Sequence, residues 1–169
     1  MLLPMEITGA GVEAERDSPP VWKAGVEDAR VAGILLDAFN VEFHDPTPGP
    51  EFLAERLTAL ILTGAFHVLL GGEAPDGVAV MRVRQALWSG ANEAYLEELY
   101  VLPDRRRRGL GDALMSAALE LAREFGCDRI ELGTDEGDED AHRLYERHGF
   151  TNFADEESGE RMLFYEREL

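Results

Sequence analysis

Four consecutive arginines, Arg105, Arg106, Arg107 and Arg108, run into Gly109-Leu110-Gly111 in a chain that is otherwise strongly acidic. The segment lies between an apolar strand pattern and the start of the strongest helix pattern. A helix start presents unpaired N–H groups and the positive end of the helix dipole, so it is a ready anion site. Glycines at 109 and 111 let a ligand approach the backbone without meeting a Cβ. Diphosphate is the ligand type this arrangement suits. The glycine-lysine-serine/threonine phosphate loop and the three-glycine dinucleotide fingerprint are both absent. A plainer alternative stays open: a solvated basic patch beside a tight turn. His44, His67, His142 and His148 have no metal-ligand spacing, and Cys127 is the single cysteine. No metal site is therefore expected, and no intrachain disulfide.

The elements around this segment follow from hydrophobic periodicity. Strands are expected at residues 21–24, 66–70, 78–83, 93–101 and 129–134, with a last one at 162–166. Helices are expected at residues 27–39, 51–62, 109–125 and 140–148, and three prolines between 44 and 50 make that stretch a loop. In the third helix Leu110, Ala113, Leu114, Ala117, Ala118, Leu121 and Phe125 fall on one face, and Gly126 supplies its C-terminal stop. Strand 93–101, helix 109–125 and strand 129–134 make a βαβ unit, hence a parallel pair. The earlier strands are joined by short turns and should be antiparallel. The fold class is therefore α/β, or α+β, with a mixed sheet and helices on its faces.

A length of 169 residues suits one compact domain, read as residues 21–169 behind an extension at 1–20 that ends in Ser18-Pro19-Pro20. The 34 acidic and 16 basic residues leave a net charge of −18, which argues against general nucleic-acid binding. An apolar share of 45% is ample for a core. The most apolar window, 57–70, is shorter than the ~20 residues of a spanning helix and is broken by Gly64 and His67, so no membrane partner is expected. The first residues lack the basic start of a secretory signal, and a cytoplasmic location is expected. The acidic balance is compatible with a cationic small-molecule partner, although acidic surfaces often only solubilise.

Arg106-x-x-Gly109-x-Gly111 resembles the Arg/Gln-x-x-Gly-x-Gly/Ala signature of the GNAT superfamily of N-acetyltransferases. Ala141-x-x-Leu144-Tyr145-x-x-x-Gly149-Phe150 looks like the second signature of that superfamily, and residues 95–103 look like its fourth strand. The three motifs stand in the superfamily's order and span roughly residues 21–168. Shorter stretches, Phe39-x-x-Glu42-Phe43, residues 135–141 and Met162-Leu163-Phe164, resemble gentamicin 3-N-acetyltransferases.

The resemblance implies acetyl-CoA as co-substrate, a direct transfer to a primary amine, and no metal. It implies that the main chain of Leu99, Tyr100 and Val101 pairs with the amides of acetyl-CoA. Arg106, Arg107, Arg108, Gly109, Leu110, Gly111 and Asp112 would form the diphosphate loop, with the Asp112 carboxylate turned away from the phosphates. Tyr145 matches the tyrosine that protonates the departing thiolate. Glu97 matches the glutamate of polyamine acetyltransferases and Glu98 an aspartate of gentamicin acetyltransferases, so both are candidate bases. Adjacent strand residues point to opposite faces, so both cannot act directly unless a bulge intervenes. Asp138 stands where many members carry an asparagine that helps hold pantetheine, beside Ala141. The expected acceptor is a small polycation, aminoglycoside-like or a polyamine, with the acidic run 135–140 at its entrance. A homodimer is compatible with this reading. The rival reading is a catalytically silent domain that binds acyl-CoA as a sensor or scaffold.

Overall fold

The computed structural model describes residues 18–167, so of the extension expected at 1–20 only Ser18, Pro19 and Pro20 are placed. Strands β2 (Phe66–Gly71), β3 (Gly77–Gln85) and β4 (Asn92–Val101) form an antiparallel meander, and β1 (Val21–Lys23) adds antiparallel to β2. Strand β5 (Cys127–Leu132) joins β4 in parallel, giving a five-stranded mixed sheet in the order β1-β2-β3-β4-β5. The crossover is helix α3 (Leu110–Glu124), as the βαβ pattern requires.

The central strands β2 and β3 are apolar on both faces because helices cover both faces. Helix α3 buries Leu110, Leu114, Met115, Ala118, Leu121 and Ala122 against Leu69, Ala79, Met81 and Leu96. Leu114 and Met115 are fully buried, and burial of side chains of this size contributes about 1.5–3 kcal/mol each. Helices α1 (Ala29–Phe43) and α2 (Pro50–Leu62) close the other face over Val68, Leu70, Val78, Val80 and Tyr100. The helix α4 (Glu139–Arg147) follows β5, with the Asp138 carboxylate accepting from the Ala141 N–H at 3.0 Å as its N-cap.

Three elements depart most from the sequence expectation. α1 starts behind a 3-10 turn at Val26–Asp28 and runs four residues past 39, to a left-handed stop at His44 with φ 61°. Phe39 and Phe43 stand one turn apart with ring centroids at 5.1 Å, and this contact carries the helix through to the prolines. β5 ends at Leu132 rather than at 134. The strand expected at 162–166 does not form. The last strand is β7 (Glu160–Arg161), which pairs with β6 (Phe153–Asp155) in a separate two-stranded sheet. The Met162 N–H bonds the Asn152 carbonyl, and 162–167 then continue without regular structure, with Phe164 and Tyr165 exposed. Strand-forming side chains need a ladder partner, and the short β6 arm offers none beyond this point.

His67, one of the four histidines without metal-ligand spacing, is buried on β2. Its ring stacks on Phe125 at 4.2 Å and its Nε2 lacks a partner among the described residues. Burial, and secondarily the charge of Lys23, hold its pKa down at about 4, so it is neutral near pH 7.

Candidate active site

The register of β4 changes at one residue. Val80 faces Glu98 and Met81 faces Leu96, so Glu97 has no opposite number and forms a β-bulge. On the other side of β4, pairing with β5 stops at Leu96 opposite Leu132. From Glu97 to Val101 that edge of β4 has no strand beside it among the described residues, and Leu99, Tyr100 and Val101 all lie on this stretch. A bulge that coincides with the end of pairing opens a cleft in the sheet without breaking β4 itself.

The bulge also separates the two glutamates. The Glu97 carboxylate stands 2.9 Å from Arg82 Nε on β3, although that N–H is not aimed at it, so the contact is ionic rather than a hydrogen bond. Glu98 shares its register position with Val80, whose side chain belongs to the core under α1 and α2, so Glu98 faces that layer. Burial, and then the charge of Glu97, push the Glu98 carboxyl up to about 7. Tyr145 packs against the α3-side core with its ring centroid 6.0 Å from that of Phe150. Burial raises its phenol to about 12, helped by the negative charges of Asp138 and Glu98. Glu98 and Tyr145 thus come from opposite layers, and the Glu98 charge is felt at the Tyr145 phenol across the opening.

The loop into α3 follows directly from β4. Arg107 adopts a left-handed φ of 60° and Gly109 one of 84°, and no side chain caps the helix that starts at Leu110. The left-handed region costs a non-glycine residue about 1 kcal/mol, so Arg107 must be held there by its surroundings. The first N–H groups of α3 stay free of side-chain acceptors, and Arg107 and Arg108 pair with no acidic group among the described residues. Both arginines and Gly109 line an open cleft of about 610 Å³ against Pro19 and Val21. These features fit an anion carried at the helix start. Neither Glu98 nor Tyr145 lines that cleft, so the anion site and the carboxylate–phenol pair are separate parts of one surface.

Five residues of the loop and of the α4 region differ from a simple ligand-lining role. The Arg106 side chain turns back: Nε donates to the Val101 carbonyl at 2.9 Å and Nη2 to Glu42 at 2.7 Å. Leu110 is buried in the core and presents only its N–H to the loop. Asp112 turns toward α4, with Arg147 Nη2 and His148 Nε2 each at 3.1 Å. Asp138 spends its carboxylate on the cap of Ala141 described above, in place of a free amide. Asp140, in the acidic run, is held low chiefly by Arg143, then by Arg107 and Arg106, so it answers to the arginine loop rather than to the Glu98 side.

Sequence reasoning passed over Arg82 and gave Glu42 no role. The signal for Arg82 was the outward position opposite Tyr95 on β3, over whose ring its guanidinium lies at 5.5 Å. Glu42 offered only the short Phe39-x-x-Glu42-Phe43 pattern.

The pattern described as the acetyltransferase (GNAT) family matches residues 30–150, more than half of the chain. A crystal structure from Arthrobacter sp. FB24, provisionally described as an acetyltransferase, superposes with a TM-score of 0.82 at 42% identity, over 94% of this chain and 100% of that one. A thialysine N-epsilon-acetyltransferase of Caenorhabditis elegans is 31% identical over 106 residues, 62% of this chain and 66% of the relative. A mycothiol acetyltransferase of Beutenbergia cavernae is 40% identical over 72 residues, 41% of this chain and 24% of the relative. The chain thus spans a quarter to two thirds of these curated relatives.

Proposed function

This chain belongs to the acetyltransferase (GNAT) family, and from that premise we propose that it moves an acetyl group from acetyl-CoA directly to a primary amine on a small polycation. The observation that carries the proposal is the opening of β4 from β5 at the Glu97 bulge, with Glu98 on one side and Tyr145 on the other.

The donor fits the residues present. The free N–H groups of α3, with Arg107 and Arg108 beside them, take the diphosphate. The unpaired edge from Leu99 to Val101 offers main-chain donors and acceptors to an extended amide chain, as an added strand would use them. Acetyl-CoA supplies an activated thioester carbonyl there.

Glu98 takes the proton that an ammonium must lose before its nitrogen can attack. A carboxylate with pKa near 7 is a better base than an ordinary glutamate and is still half ionised at neutral pH. Glu97, tied to Arg82, is left to the electrostatics of the site. The Tyr145 phenol stays protonated through the neutral range and offers its proton to the sulfur as the C–S bond breaks. The C–N bond forms and the C–S bond breaks, the proton that the nitrogen sheds on becoming an amide replaces the one Tyr145 gave to the sulfur, and Glu98 releases its own proton to water. The thialysine acetyltransferase among the relatives supports an acceptor that carries more than one charge-bearing group.

The test is acetyl-CoA turnover against a panel of 1,4-diaminobutane, an aminoglycoside and butylamine. Turnover on the polyamines above butylamine is expected. CoA binding with no turnover on any amine would favour the silent acyl-CoA-binding domain.

A further inference from the structure

We propose that Glu42, at the C-terminal end of α1, is a positioning residue that sets the diphosphate loop through Arg106 and Tyr100. The inference rests on the reading of that loop as the CoA site. One carboxylate oxygen, Glu42 Oε2, accepts from Arg106 Nη2 at 2.7 Å and from the Tyr100 hydroxyl at 3.0 Å. The Arg106 guanidinium lies 5.6 Å from the centroid of the Tyr100 ring and spends its Nε–H on the Val101 carbonyl. Arg106 is therefore tied to three groups: the end of β4, a ring on β4 and the end of α1. The Arg106 bond comes first among the influences that hold the Glu42 carboxyl below the usual carboxylate range.

The chain immediately after Arg106 must hold Arg107 at φ 60° and Gly109 at φ 84° to free the α3 N–H groups. Arg106 is the last residue before that turn with a side-chain anchor, since Arg107 and Arg108 pair with no described acidic group. Its anchor is Glu42, which the Phe39–Phe43 and Phe39–Tyr100 ring contacts fix in place at 5.1 and 5.4 Å. The bonds to the Val101 carbonyl and to Glu42 thus fix the direction of the Arg106 side chain, and with it the start of the loop. Glu42 is not among the residues that line the arginine cleft. It acts on the donor through the shape of the loop.

The experiment uses the full chain and measures CoA affinity by calorimetry and steady-state kinetics with acetyl-CoA and 1,4-diaminobutane. Glu42→Gln keeps the shape of the side chain and removes its charge. CoA Kd and the KM for acetyl-CoA should each rise about tenfold, the loss of one charge-assisted hydrogen bond. At saturating acetyl-CoA, kcat should change less than twofold, and the KM of the diamine should stay put. Arg106→Gln should give the same rise, and the double variant no more than either single one. Tyr100→Phe, which removes one of the two donors to Glu42 and keeps the ring, should raise CoA Kd about threefold. This variant also decides the matter if Glu42→Gln fails to fold. A folded Glu42→Gln chain with CoA Kd within twofold of the parent overturns the proposal. So does a loss confined to kcat, or single effects that multiply in the double variant. If the parent chain binds no CoA, the loop assignment itself fails and this inference falls with it. If the parent binds CoA and the variants bind equally well, only the positioning role of Glu42 is lost.

Discussion

The proposed base and acid, Glu98 and Tyr145, are both pushed upward in pKa by their surroundings yet stay well apart, near 7 and near 12. Glu98 is useful only when ionised, so kcat/KM should rise with pH and level off above about 7, the rise tracking one ionisation. Glu98→Gln should remove that rise. It should also stabilise the fold at alkaline pH. The folded-state pKa lies above the unfolded value, so stability tied to this group is full below the unfolded pKa and is lost as pH climbs through about 7. A melting profile in which the variant gains nothing over the parent at pH 8 would show that Glu98 is not desolvated. For Tyr145→Phe, the ring packing against Phe150 survives and only the hydroxyl goes. Turnover should fall about 10²–10⁴-fold with CoA affinity nearly unchanged. Unchanged turnover at saturating substrates would make Tyr145 a core residue and nothing more.

At the scale of elements, two short stretches carry the site: the last five residues of β4 and the first turn of α3. The two glycines of the α3 turn are not equivalent as probes. Gly109 has a left-handed φ of 84°, so any side chain there strains the backbone whether or not a ligand binds. Gly111 lies inside the helix, and a Cβ built on it meets only Leu144 Cδ2 at 3.7 Å, an ordinary contact. Gly111→Val should therefore fold with a melting temperature near that of the parent and still lose CoA affinity by more than tenfold, because its branched carbons stand over the free N–H groups. Retained affinity in a folded Gly111→Val chain would remove the helix start from the donor site. The contact of Asp112 with Arg147 and His148 belongs to this scale too. It ties α4, and with it Tyr145, to the same first turn of α3.

For the whole molecule, the net charge of −18 sets a long-range attraction for cations that is independent of the detailed site. Such attraction weakens as the Debye length falls, to ~8 Å at physiological ionic strength. Added salt should raise the apparent KM for 1,4-diaminobutane or an aminoglycoside more than for butylamine, because a second ammonium doubles the charge that feels the field. An identical salt response for mono- and polyamines would make the acidity a property of the surface alone. The acidic run at 135–140 contributes less to this than its composition suggests, since Arg143 and the arginine loop already take up Asp140.

The order of the five strands of the main sheet and of the four helices, the parallel β4–β5 pair and the glycine-bearing turn from β4 into α3 were legible in the sequence. Each depends on local chemistry: apolar period, glycine placement and the obligatory crossover of a βαβ unit. The Arg106, Gly109 and Gly111 spacing and the Tyr145 motif were legible for the same reason. What spacing could not decide is which of two adjacent glutamates points where, because one extra residue in a ladder reverses the alternation, and a bulge shows only in the register with β3. Nor could it decide the direction of the Arg106 side chain, whose partner Glu42 lies 64 residues away on another layer. The strand expected at 162–166 failed for the converse reason: its side chains suited a sheet, and tertiary structure supplied no neighbouring strand to pair with it.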